Sequence, residues 1–332
     1  MKLFHLILLL VINQSTIAQC IFEYEQEITI SENLQIEEIS FVNKEDNIRL
    51  SGTLISPKAE FDKIVMIVPG SGKDTRNSHF ILSQEFLNNN IAVYRFDERG
   101  VGKSEGKYNY TATSLMTDLI YAFHSLRKMN ELSNKKIGIL GHSLGGIASI
   151  GAYSKECEFD FLIQMATPVE NNGAFIKYQA RMNTDGFYTV KNKSTSEVVN
   201  FIDEISKSVK ETDNYKTSKS KANKIMKRMG FRKGNHIVNP LIIDLMKQNH
   251  EETYQNSKIP ILYIIGTEDR IVSSTNEITA LNKMNNSMID IKVVENVNHW
   301  LSEKIAPTKM EKSLYNMNKK AIYEIVKWTL EK

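Results

Sequence analysis

The chain has 332 residues, a length that suits one large α/β domain carrying an insertion, and its 42 basic and 39 acidic residues leave a net charge of +3. So small a surplus, without any RNA- or DNA-binding signature, argues against a nucleic-acid partner. Two cysteines, Cys20 and Cys157, exclude a disulfide scaffold, although one bridge between them stays open, and no Cys/His cluster has metal-ligand spacing.

The N-terminus reads as an export signal: Lys2, an apolar run from Leu3 to Ile12, then small and polar residues ending at Thr16, Ile17 and Ala18. A bilayer span takes about 20 apolar residues, so the run is too short to remain as an anchor. Cleavage is expected after Ala18, giving a periplasmic or secreted protein with no stable membrane span. A lipoprotein at Cys20 is the less favoured alternative, because the bulky Gln19 stands where such signals carry a small residue.

Beyond the leader, Ile36 to Val42 and Ile48 to Ile55 alternate apolar and polar residues and predict an antiparallel hairpin. Five later segments, Lys63 to Gly70, Ile91 to Asp97, Lys136 to Ser143, Phe159 to Ala166 and Ile259 to Gly266, are short and almost continuously apolar. Burial on both faces of a parallel sheet accounts for that pattern. Helical spacing appears between them at Ile81 to Leu87, Leu115 to Met129 and Leu144 to Tyr153, so the class is α/β with helices on both faces of a mostly parallel sheet.

The alternation stops at Pro168 and resumes at Ile259. Val198, Ile202, Ile205 and Val209 form one helical stripe; Leu241, Leu245 and Met246 form another, opened by Asn239 as cap and Pro240 at the first helical position. The expected organisation is a signal peptide (1–18), a core in two parts (19–168 and 259–332) and a helical cap inserted between them (169–258). Residues 191–233 hold twelve Lys/Arg against five Asp/Glu. A solvated lysine-rich face explains this excess more simply than a funnel for anionic substrates.

"GHSLGG" (Gly141 to Gly146) follows an apolar strand and opens a helix, which is the setting in which G-x-S-x-G exposes its serine on a strained elbow. Ser143 is thus the candidate nucleophile, with a structural glycine turn as the alternative. A serine hydroxyl needs a base, and the base an orienting group. His299, after the last strand (Ile289 to Val294), is the best base, since His79, His124, His236 and His250 follow no strand and His142 should point away from Ser143. Asp269 sits just past an apolar strand and is the orienting acid, with Glu268 as fallback. The backbone N–H groups of Leu144 and Ser71 are the expected oxyanion donors. "GSGK" (70–73) lacks phosphate-loop spacing.

Together these residues resemble the α/β-hydrolase superfamily over nearly all the mature chain. "FDERGVGKS" (Phe96 to Ser104) is similar to the Asp-x-Arg-Gly-x-Gly-x-Ser loop of many members, and "VPGSG", "GHSLGG", "GTEDRIV" and "VNHW" occur in the family's order. The resemblance implies a Ser143, Asp269, His299 triad, a Ser71 and Leu144 oxyanion hole, and a cap after the sixth strand. It is strongest to exported bacterial hydrolases of the serine aminopeptidase-like branch. Several of those carry an acidic residue where this chain has Leu144, which weakens the inference of peptide specificity. Asp97 and Arg99 are expected to brace their loop as a carboxylate and guanidinium can.

The activity so implied is hydrolysis of a small carboxylic ester through an acyl-enzyme, requiring no cofactor or metal. An aminopeptidase or amidase is the alternative enzyme, with Glu170, Asp203 and Glu204 as candidate amine-holding acids. The alternative outside enzymes is a non-catalytic small-molecule binding protein. Acyl length, natural substrate and oligomeric state are not legible in the sequence.

Overall fold

A computed structural model of the chain describes residues 22–108, 111–155, 157–183, 186–232, 236–303 and 315–332. The expected leader and Cys20 lie outside the described residues. Cys157 is a buried free thiol.

Eight strands form one sheet in the order β1-β2-β4-β3-β5-β6-β7-β8. The hairpin β1 (Leu34–Asn43) and β2 (Ile48–Pro57) pairs antiparallel, and β2 pairs antiparallel with β4 (Ala92–Phe96). All the remaining pairings, through β3 (Lys63–Val68), β5 (Lys136–His142), β6 (Phe161–Met165), β7 (Ile261–Gly266) and β8 (Ile289–Val294), are parallel. Every residue of β3, β6 and β7 is buried, as their unbroken apolar sequences require when both faces are covered.

Helices cover the two faces. On one, Leu82 and Phe86 of α1 (Phe80–Asn88) and Ala321 and Ile325 of α10 (Lys319–Leu330) pack on Val65, Ile67 and Val93. On the other, Leu115, Leu119 and Phe123 of α2 (Ala112–Arg127) and Ile147 and Ile150 of α3 (Leu144–Tyr153) pack on Ile64, Met66, Ile137 and Ile139, joined by Leu281 of α9 (Ser274–Met284). The second helix starts three residues before the apolar spacing does, because Thr111 and Ser114 form a reciprocal capping box at its N-terminus.

Between β6 and β7 the chain forms α4 (Ala174–Met182), α5 (Thr195–Val209), α6 (Tyr215–Arg228), α7 (Pro240–Leu245) and α8 (Glu251–Asn256). The expected stripe of α5 is buried, and Asn239 Oδ1 accepts from Ile242 N at the start of α7. Several hydrogen bonds hold this layer to the core, Tyr254 Oη of α8 donating to Gln164 Oε1 of β6 among them. Asp244 on α7 accepts from Thr113 Oγ1 at 2.5 Å, and Tyr178 on α4 donates its hydroxyl to the Asp269 carbonyl at 2.9 Å. Among the described residues no helix is long and apolar enough to cross a membrane.

Candidate active site

The strand order turns around at β3: β4 lies on one side of it and β5 on the other. In open α/β sheets the crevice at the carboxyl ends of such strands is where ligands bind. Here the loop after β3 carries Ser71, and the turn after β5 carries Ser143.

Ser143 has φ 53° and ψ −114°, a left-handed backbone setting that a side-chain-bearing residue reaches only at a cost of about 1–3 kcal/mol. The turn is closed by Ser143 N donating to Met165 O of the neighbouring strand at 2.9 Å. Two glycines are required sterically. A Cβ on Gly145 would lie 2.2 Å from the Val68 carbonyl oxygen, and one on Gly141 would lie 2.5 Å from that of Gly145. Leu144 is the first residue of α3, so its N–H is one of the helix's unpaired donors.

His299 and Asp269 are both buried, and His299 Nδ1 donates to Asp269 Oδ2 at 2.7 Å. The other carboxylate oxygen accepts from Ile271 N and Val272 N, each at 2.8 Å, so three donors fix the acid. Because Nδ1 carries the proton given to Asp269, Nε2 remains as the basic nitrogen. The fallback acid Glu268 is exposed.

Ser71, Ser143, Leu144 and His299 all line one cavity of about 320 Å³. Its opposite wall comes from the layer between β6 and β7: Phe175 of α4, Phe187 and Tyr188 of the next loop, and Leu241, Ile242 and Leu245 of α7. That layer's contribution is mostly apolar and aromatic, with Gln179 of α4, which accepts from Tyr188 Oη at 2.7 Å, as its amide.

The loop bearing Ser71 is anchored by Arg76, which is buried. Its guanidinium meets Asp97 Oδ1 at 3.1 Å and Oδ2 at 2.9 Å, Glu38 Oε2 at 2.8 Å, Thr53 Oγ1 at 2.5 Å and Ser51 Oγ at 2.6 Å. The expected bracing by Asp97 and Arg99 takes a different form: Asp97 pairs with Arg76, while Arg99 reaches Asp118 and Asp46, each at 2.8 Å. Arg76 grips Asp97 through both Nε and Nη2, a bidentate pairing buried from solvent.

None of the acids considered for holding an amine lines the cavity. Asp203 is engaged by Lys177 and Lys207, Glu204 by Arg228, and Glu170 by Asn276 Nδ2. The acid that does line it is Asp74, which the sequence reading passed over and which stands three residues beyond Ser71. Tyr315 Oη donates to Asp74 at 3.1 Å, and burial, reinforced by the charge of Glu25, raises the Asp74 pKa to about 8. Tyr315, Trp300 and Arg270 also line the cavity without having been singled out in the sequence. Only the neighbours of Ser71, Asp269 and His299 could have drawn attention to Asp74, Arg270 and Trp300; Tyr315 lies in no motif. Among the described residues no group of three or more His, Cys, Asp or Glu could hold a metal ion.

A parallel sheet with an antiparallel leading hairpin, a serine elbow after β5 and a helical insertion after β6 defines an α/β-hydrolase. The sequence matches the model of the serine aminopeptidase family S33 over residues 59–303, and the chain belongs to that family. A search of curated protein sequences gives no match. Among solved structures it is similar to the esterase Pf2001 of Pyrococcus furiosus, with 16% identity, a TM-score of 0.58 and coverage of 93% of this chain and 97% of that one. It is also similar to Est1E of Butyrivibrio proteoclasticus bound to ferulic acid (18% identity, TM-score 0.54, 86% of this chain and 98% of that one). A third likeness is the hypothetical protein PA2218 of Pseudomonas aeruginosa (15%, 0.58, 95% and 98%). At these identities the likeness establishes the fold alone.

Proposed function

We propose that the protein is an exported serine hydrolase that cleaves carboxylic esters with apolar acyl groups. The observation that carries this reading is the meeting of Ser143, on its left-handed elbow, with the His299–Asp269 pair at one cavity. In the mechanism, His299 Nε2 takes the Ser143 proton as Oγ attacks the ester carbonyl. The oxyanion is held by the N–H groups of Ser71 and Leu144. Collapse of the intermediate expels the alcohol, which leaves with the proton held on His299. Water then enters, gives a proton to the same nitrogen, and releases the acid while Asp269 keeps the imidazole in its working tautomer.

Two features favour an ester over an aminoacyl amide. The residues of α4 and α7 at the cavity are mostly apolar, and burial raises the pKa of Asp74, the acid that reaches the cavity, to about 8, which disfavours the anion an ammonium group would want. The test is turnover of p-nitrophenyl acetate, butyrate and octanoate beside aminoacyl p-nitroanilides, with Ser143→Ala as control. Faster release from the anilides would replace esterase by aminopeptidase. Unchanged ester turnover in the variant would remove Ser143 from the mechanism, and failure of the folded protein to react with a fluorophosphonate would favour a non-catalytic binding protein. Export rests on the Met1–Ala18 pattern, and the N-terminal residue of protein recovered from outside the cytoplasm tests it.

A further inference from the structure

The sequence leads one to expect His142 to point away from Ser143, but His142 lines the same cavity and begins a line of polar groups that the mechanism above does not use. His142, the residue before Ser143, places Nε2 3.1 Å from the backbone carbonyl oxygen of His299. Its Nδ1 lies 3.1 Å from His79 Nε2, and His79 Nδ1 lies 3.1 Å from Ser78 Oγ. His79, His142 and Ser78 are all buried, and Tyr315 packs against His79 with ring centroids 4.3 Å apart and the planes tilted by 47°.

The chemistry of one end dictates the rest. A carbonyl oxygen can only accept, so His142 Nε2 must carry a hydrogen. In neutral His142 the other nitrogen is then an acceptor, which requires His79 Nε2 to donate. In neutral His79 the remaining nitrogen accepts in turn, from the Ser78 hydroxyl. Burial, more than the neighbouring charges of Arg95, His299 and the partner imidazole, keeps both rings uncharged: His79 is lowered to about 3 and His142 well below the usual histidine range.

We infer that His142 is a positioning residue of the hydrolase: its Nε2–H clasps the His299 main chain, and the His79–Ser78 pair fixes the tautomer that makes this clasp possible. The inference rests on the reading of Ser143 and His299 as nucleophile and base. His299 is thereby held at two points, its ring by Asp269 and its backbone by the residue next to the nucleophile. Separation between base and nucleophile is set through one side chain that is covalently continuous with the elbow. His142 also stays uncharged with its ring centroid 5.0 Å from that of His299, so nothing there opposes the positive charge His299 acquires when it takes the serine proton.

The experiment compares His142→Leu with His142→Gln, whose amide nitrogen reaches about as far as the imidazole Nε2 and can donate to the same carbonyl. A displacement of about 1 Å at a reacting group costs on the order of 10²-fold in rate. The expected result is therefore a kcat about 10–100-fold lower in His142→Leu with KM for a short ester nearly unchanged, and recovery of most of that loss in His142→Gln. Fluorophosphonate labelling of Ser143 should slow in step with kcat, and both variants should show native circular dichroism. In the wild-type protein, ¹⁵N NMR should find His142 protonated at Nε2, bare at Nδ1 and not titrating between pH 5 and 9. Should His142→Leu fail to fold, the glutamine variant and the NMR tautomer still decide. A folded leucine variant with wild-type kcat, a glutamine variant no better than leucine, or an Nδ1-protonated His142 each overturns the inference. Loss of the hydrolase reading has a different signature, namely an active Ser143→Ala protein or a wild-type Ser143 that resists the fluorophosphonate.

Discussion

The two sides of the cavity are built on opposite principles. On the sheet side, the polar side chains are held by directed bonds: Asp269 by His299 and two amides, Arg76 by four side chains, His142 by a carbonyl and a second imidazole. On the side of α4 and α7, Phe175, Leu241, Ile242 and Leu245 are held by packing, with few directed bonds to define their positions. Hydrogen bonds are short-ranged and angular, so they fix atoms to within tenths of an ångström. Dispersion and apolar burial are nearly indifferent to direction and tolerate exchange of one shape for another of equal volume. In the proposed hydrolase the difference would separate tasks, with positioning of the reacting atoms belonging to one wall and choice of acyl group to the other.

Four substitutions can break or sharpen that contrast. The largest effect belongs to Asp269→Asn, which leaves shape intact but unsettles the His299 tautomer. A kcat lower by roughly 10³–10⁴-fold in ester assays is expected, with little change in melting temperature. Next is Arg76→Ala, which strands the fully buried Asp97 carboxylate. Removal of one partner of a buried pair costs about 3–5 kcal/mol, to be read from urea unfolding, and a loss under 1 kcal/mol would mean that the clasp is structurally idle. Third, Leu241→Ala on the apolar wall should lower kcat/KM for an octanoyl ester by about 1–3 kcal/mol, roughly 5–150-fold, while leaving an acetyl ester nearly unaffected. Equal losses for both esters would deny the division of labour.

The effect of Asp74→Asn is read against pH, and is small at any one step of the scale. Burial raises the folded-state pKa of Asp74 to about 8 from its ordinary 3.8. The native state therefore binds more protons than the unfolded state between those values, and stability from this group is complete at low pH and lost as pH rises through about 8. Asparagine cannot ionise, so the variant's unfolding free energy should fall less steeply than wild type between pH 4 and 8, by up to about 1.4 kcal/mol per pH unit. Parallel pH profiles would show that Asp74 is ionised in the folded protein.

How far the sequence spoke follows the same division. The buried strands announced themselves because a parallel strand covered on both faces is mostly apolar, and the elbow because glycines at 141 and 145 are sterically compulsory. Helix α6 did not, since it buries only Ser218, Ala222, Ile225 and Met226 among a row of lysines, too thin a stripe to stand out. Helix α10 has a clearer stripe, with six residues buried, but follows the last motif and was not read at all. Asp74 and the partner of Asp97 were invisible for a further reason. Their roles depend on which distant residues meet them, Tyr315 from 241 positions away and Arg76 from 21, and separation in sequence carries no trace of such meetings.

The Arg76 clasp also implies an order of assembly. Three of its side-chain partners, Glu38, Ser51 and Thr53, belong to a hairpin complete within residues 34–57, whose contacts are local and close fast. The fourth, Asp97, arrives only when β4 has docked beside β2. Until then the segment that presents the Ser71 N–H has a socket but no lock, because the Arg76 main-chain N–H is itself bonded to Asp97 at 2.9 Å. A folding intermediate with the hairpin formed and β4 still loose would hold much of the first strands' structure and yet be chemically inert. Recovery of activity on refolding should then trail the protection of the hairpin amides and coincide with that of Arg76.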